Sequence, residues 1–187
     1  MDNFLVRDLM VPISEYATVV VGTSLIDAVK ALEQAQETFT MSKYHHLAIL
    51  VLDERGQVVG KISQLLALKA IEPEVTLKFE IERLREFNFS DAYLAQLRDL
   101  YRSHGKIMSK DSLRQASVKK VEEFMQTPSP GEFVSETSSL DTAIHRLVTG
   151  THLSLLVTRG EKIVGILRMP DVFAAVFHKM TALEKAP

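Results

Sequence analysis

The sequence has 187 residues, 46% of them hydrophobic, with 22 Lys and Arg against 24 Asp and Glu for a formal charge of -2. That length and apolar content suffice for one large domain or two small ones sharing a core, and the balanced charge leaves no global field to hold nucleic acid or an anionic membrane. The lack of any cysteine excludes disulfides, thiolate nucleophiles and cysteine-bound zinc or iron-sulfur centres.

The chain opens on Met1-Asp-Asn-Phe-Leu-Val-Arg-Asp8, too acidic and too short of apolar residues for a signal peptide. No apolar run reaches bilayer length, Leu47-Ala-Ile-Leu-Val-Leu52 being strand-sized, so a cytoplasmic address is expected. Val6-Arg-Asp-Leu-Met10 is matched by Val121-Glu-Glu-Phe-Met125. At the same offset Thr23-Ser24-Leu25 faces Ser138-Ser139-Leu140, Ala28-Val29 faces Ala143-Ile144, and Leu32 faces Leu147. One unit therefore occurs twice. In each copy the hydroxyl residues read as caps of a helix, whose Leu25, Ala28, Val29 and Leu32, or Leu140, Ala143, Ile144, Leu147 and Val148, form one apolar face.

Next come His46-Leu-Ala-Ile-Leu-Val51 and His152-Leu-Ser-Leu-Leu-Val157, short apolar runs that read as buried strands. Asp53-Glu-Arg-Gly56 and Thr158-Arg-Gly160 supply tight turns into Val58-Val59-Gly60 and Ile163-Val164-Gly165. A glycine inside a strand marks a bulge or the close approach of another backbone or a ligand. Each unit thus reads as strand, helix, strand, strand, helix. The first carries an extra segment, residues 36–44, between its helix and strand. In the second, Asp171 stands at the mouth of the last helix, either capping it or accepting hydrogen bonds from something bound at the turn.

The expected domains are a first repeat over residues 1–72, an inserted helical segment and loop over 73–117, a second repeat over 118–180 and a frayed tail over 181–187. In the insertion Phe79, Leu84 and Phe87 imply one helix, and Ser90-Asp91 caps another bearing Tyr93, Leu94, Leu97, Leu100 and Tyr101. That stripe packs on its own units or forms a subunit interface. Residues 103–117, polar and containing Gly105, read as a loop.

The opening Val-x-x-hydrophobic-Met, the proline soon after (Pro12, Pro128), the capped helix, the His-led strand and the Val-Gly ending together resemble the tandem cystathionine-β-synthase (CBS) domain pair, or Bateman module. The resemblance implies a mixed α/β (α+β) fold in which two β-α-β-β-α repeats meet sheet to sheet about a pseudo-two-fold axis. It also implies two clefts that take adenosine-containing ligands such as AMP, ADP, ATP or S-adenosylmethionine. In the family's pattern the glycine strand continues Gly-hydrophobic-x-Ser/Thr-x-x-Asp, the aspartate holding the ribose hydroxyls and the hydroxyl reaching ribose or phosphate. Carried over, the first copy has Gly60 and Ser63 but Leu66 for the aspartate, while the second has Gly165 and Asp171 but Arg168 for the hydroxyl.

The family's basic residue before the third strand falls at His46 and His152, with His45 alongside. One good nucleotide site is expected, at Asp171, with Arg168 placed to meet a phosphate or carboxylate in bidentate fashion. In the alternative reading Asp171 only caps its helix and Arg168 is a solvated surface charge. His45 and His46, adjacent on a strand, point to opposite faces and cannot chelate one metal. No nucleophile elbow, phosphate loop or His-Glu-x-x-His helix occurs, so neither enzymatic activity nor a catalytic cofactor is expected. The resemblance implies a regulatory module that forms a homodimer and signals to a non-covalent effector protein; the alternative is a ligand-free dimeric scaffold with degenerate sites.

Overall fold

The computed structural model describes residues 4–40, 44–71, 84–85, 89–104 and 108–184. The strands are β1 (Val11–Pro12), β2 (Thr18–Val20), β3 (Ala48–Leu52), β4 (Val58–Ser63), β5 (Phe133–Ser135), β6 (Ser154–Arg159) and β7 (Lys162–Arg168). The helices are α1 (Leu25–Thr38), α2 (Gln64–Ile71), α3 (Asp91–His104), α4 (Lys110–Ser117), α5 (Leu140–Thr149) and α6 (Met169–Glu184). Both repeats run strand, helix, strand, strand, helix, in a mixed α/β (α+β) fold. Ser24 and Ser139 cap α1 and α5 by accepting from the amides of Asp27 and Thr142, each at 3.3 Å. The hairpin turns close on Gly56 and Gly160, at φ 73° and 61°.

The strands order β2-β3-β4 in one sheet and β1-β7-β6-β5 in the other. Strand β1 belongs by sequence to the first repeat, yet it pairs with β7 of the second, Val11 opposite Ile166 and Pro12 opposite Gly165. The second repeat reciprocates: Gln126 and Lys61 of β4 exchange backbone hydrogen bonds at 2.9 and 3.0 Å. Val6 donates its amide to the Ser138 carbonyl at 2.9 Å, and its counterpart Val121 donates to Thr23 at 3.0 Å. The cores follow suit. Val6 is buried with Val134, Ala143, Leu155 and Leu167 of the second repeat, and Val121 with Ala28, Ile49, Val51 and Ile62 of the first. Between the sheets Val11, Tyr16, Leu50, Leu156 and Ile166 form a third cluster.

This crossing explains the glycines within the strands. A Cβ on Gly165 would lie 2.5 Å from the Val11 carbonyl oxygen and 3.1 Å from Met10 Sδ, and one on Gly60 would strike the Met125 side chain. The register also shifts beside both glycines, between Val51 and Leu52 and between Val157 and Thr158. Bulge and close backbone approach thus occur together. Gly165→Ala is expected to cost about 1–3 kcal/mol, because a backbone oxygen must move. Gly60→Ala should cost less, since the Met125 thioether can swing aside. Urea unfolding of both variants compares them, and a larger loss at Gly60 would contradict the argument.

Within the insertion, α3 forms as the sequence implies, with Ser90 Oγ accepting from the Tyr93 amide at 3.3 Å. The helix expected around Phe79, Leu84 and Phe87 lies outside the described residues apart from Leu84 and Arg85, and Leu84 packs on Leu94. The loop expected over residues 103–117 gives way to α4, whose cap Ser109 accepts from the Ser112 amide at 3.1 Å. Its only apolar residues are Leu113 and Ala116, too few for a visible period. Tertiary contact decides the matter, Ala116 being buried with Leu25 and Ala70. At the carboxyl end α6 continues to Glu184 rather than fraying after Met180.

Candidate functional site

Side chains alternate along β7. Leu167 enters the second repeat's core while Ile166 faces the seam between the sheets, so Arg168, two residues after Ile166, also points into the seam. It is fully buried. Its Nε and Nη2 donate to the two carboxylate oxygens of Asp171 at 2.5 and 2.9 Å. Nη1 donates to the Tyr44 carbonyl at 2.9 Å and lies 3.5 Å from His46 Nδ1. The guanidinium carbon stands 5.0 Å from the centre of the Phe39 ring. An ion buried this deeply persists only when its fork is filled, as it is here.

Behind the pair His46 is fully buried between Tyr16 and Phe39, with ring centroids 4.4 and 4.6 Å away. His46 Nε2 and Tyr16 Oη have no hydrogen-bond partner among the described residues. Burial, aided by the Arg168 charge, pushes His46 down to about 4. Burial pushes Tyr16 up to about 12 against the pull of Arg168. In front of the pair a cleft of about 550 Å³ opens, walled by Asp8, Phe39, Tyr44, Asp171, Phe173 and Phe177. Phe173 and Phe177 stack at 6.4 Å with an interplanar angle of 11°. The extra segment between α1 and β3 therefore lines the cleft, supplying Phe39 and Tyr44.

A family model for the CBS domain matches residues 6–72 and again residues 121–178. The chain belongs to the CBS-domain family. It is a tandem CBS pair, from a family of regulatory and sensing modules. Solved structures agree on the fold. A CBS domain-containing protein of unknown function from Bacillus anthracis is 18% identical with a TM-score of 0.61, and 94% of each chain is covered. CBSX2, solved in complex with AMP, is 21% identical with a TM-score of 0.56, over 95% of this chain and 98% of that one. The CBS domains of a transcriptional regulator from Streptococcus pneumoniae are 13% identical with a TM-score of 0.53, over 92% and 99%. No curated protein matches the sequence.

Within this CBS pair the expected site residues part company. Asp171 and Arg168 meet at the cleft, with His46 directly behind them, while His45 is exposed. The reading of Arg168 as a solvated surface charge fails, because the strand's alternation turns it inward. Arg168 does engage a carboxylate in bidentate fashion, that of its own helix. Gly165 is covered by β1 and Gly60 by Met125. Ser63 Oγ accepts from the Leu66 amide at 3.2 Å, and Leu66 packs on the first repeat's core. His152 lies over Gly150 at the end of α5, apart from this cleft.

Sequence reasoning passed over Tyr16, Phe39 and Tyr44, none of which belongs to the repeated pattern. It also passed over a second buried ion pair, Lys61 with Glu132, whose side chains are 11% and 1% exposed. Glu132 accepts in addition from the Ser129 amide and hydroxyl at 3.2 Å and from Gln126 Nε2 at 3.3 Å. Among the described residues there is no group of three or more metal-ligating side chains, and no helix is long and apolar enough to cross a membrane.

Proposed function

We propose that this CBS pair is a cytoplasmic, non-enzymatic regulatory module that takes an adenosine-containing ligand into the cleft beside Asp171. Its repeats, residues 1–72 and 118–180 on either side of the 73–117 insertion, relay the bound state to a non-covalent effector protein. The observation that carries the reading is an acceptor carboxylate beside aromatic walls. Asp171 stands at the cleft with Phe39, Tyr44, Phe173 and Phe177 around it, offering hydrogen bonding to ribose hydroxyls and stacking to a planar base. The Arg168 fork holds that carboxylate at the edge of the cleft. The presence of AMP in CBSX2 supports the same chemistry. Arg168 ties Asp171 to the Tyr44 carbonyl of the other repeat, so a ligand on Asp171 alters the tension between repeats and shifts their balance.

Thermal unfolding tests the reading with AMP, ADP, ATP and S-adenosylmethionine. A bound ligand at about a hundred times its dissociation constant adds about 2.7 kcal/mol, which raises the melting temperature by roughly 5–10 °C for a chain of this size. Asp171→Asn should abolish that rise. A rise that survives the substitution places the ligand elsewhere.

The second reading, a ligand-free dimeric scaffold, draws on Leu66 in the first copy and on α3. There Tyr93 and Leu100 are 45% and 54% exposed, apolar surface that a second copy of the chain would cover. In both readings the protein is a homodimer through α3 or through the CBS units. A monomeric mass by light scattering at working concentration removes the dimer, and an absence of any thermal shift leaves the scaffold.

A further inference from the structure

The chain has no cysteine and seven methionines, so thioethers are its only sulfur groups open to oxidation. Met10 and Met125 hold equivalent places in the two repeats, and each lies on the strand glycine of the other repeat. Met10 Sδ is 3.1 Å from where a Cβ on Gly165 would stand, and Met125 Sδ is closer still to the corresponding point on Gly60. Both side chains are partly exposed, Met10 along the wall of the cleft. We propose that Met10 and Met125 are a paired, reversible sulfoxidation site, through which a peroxide loosens the hold of each repeat on the other.

The thioether lone pair takes an oxygen from the peroxide, the O–O bond breaks, and the departing hydroxide collects the proton of the transferred group and leaves as water. Sulfur is oxidised to the sulfoxide as the peroxide is reduced. The new oxygen is a strong acceptor where an apolar sulfur had been. Above Gly165 its neighbour is another acceptor, the Val11 carbonyl oxygen, 2.5 Å from the same point. Met10 packs on the second repeat's core and Met125 on the first's. Each sulfoxide therefore either stays unpaired at the edge of a core or draws its side chain off the glycine. The strands feel this at once, because Val11 and Pro12 pair with β7 directly after Met10, and Gln126 exchanges hydrogen bonds with Lys61 directly after Met125. Met108, Met169 and Met180 are 80%, 41% and 60% exposed, so an oxygen added there meets water and costs little.

Hydrogen peroxide applied to the full chain, followed by peptide mass mapping and urea unfolding, tests the site. Met10 and Met125 should each gain one oxygen, and the urea midpoint should fall by at least about 0.5 M. Methionine sulfoxide reductases should restore it. Met10→Leu combined with Met125→Leu keeps apolar cover on both glycines and should hold its midpoint under peroxide while the exposed methionines still oxidise. Each single leucine variant, which serves if the double does not fold, should show about half of the fall. An undiminished fall in these variants assigns the effect to other methionines and overturns the proposal. Oxidation of Met10 and Met125 without a fall overturns it as well, as does their staying reduced under peroxide that converts Met108 and Met180. A fall that the reductases leave in place overturns the reversibility.

Discussion

Arg168→Met is expected to lower the stability of the protein by about 3–5 kcal/mol, the cost of leaving one member of a buried ion pair alone. Asp171 is only 10% exposed at its side chain, and its two oxygens lose the Nε and Nη2 donors together. The Tyr44 carbonyl loses its donor at the same stroke. Removing both charges is a different matter. Arg168→Met combined with Asp171→Asn leaves no uncompensated charge, so the double variant should recover most of the loss. Urea unfolding of the two singles and the double provides the cycle. A loss under about 1 kcal/mol in Arg168→Met would mean that water reaches the pair in solution.

Acid should destabilise the protein through His46 by up to about 3 kcal/mol between pH 6.5 and pH 4. The ring is fully buried and its pKa is held at about 4, by burial first and by the Arg168 charge second. In the unfolded chain the same histidine takes a proton near pH 6.5. Between those values the unfolded state binds more protons, so stability falls as the pH drops through the window and is flat above it. His46→Phe keeps a ring against Tyr16 and Phe39 and has nothing to titrate. The difference in unfolding free energy between wild type and variant, followed from pH 7.5 to pH 4, isolates this histidine from the carboxylates that also titrate. A difference that does not change across the window would show that His46 is hydrated in the native state.

The fold was legible because its information is periodic and is written twice. Ser24 and Ser139, the glycines at 60 and 165, and the apolar runs at 48–52 and 154–157 each had a counterpart to check against. The crossing of β1 to β7 was not legible. Two residues opposite Ile166 and Gly165 leave no pattern, although Gly165 signalled that some backbone comes near. Helix α4 was lost for a similar reason, because two capped turns with Ala116 as their anchor are decided by α1 and α2.

At the site, Asp171 could be read from the family spacing, and the inward direction of Arg168 was available from its place two residues after Ile166. The closure of Arg168 on Asp171 was harder to see, since the spacing of three residues spans a strand end and a helix start. Phe39 and Tyr44 belong to the segment without a counterpart, so comparison of the copies says nothing of them. The buried pair of Lys61 and Glu132 links residues on opposite repeats, and no local pattern joins them.

The reciprocal crossing of the opening segments makes the chain a pair of hostages. Val6 completes the interior of the second half and Val121 that of the first, so neither half severed from the other retains a finished interior. What keeps the two halves in register is this mutual occupation, so a break of the chain between them leaves each half still holding the other's opening segment.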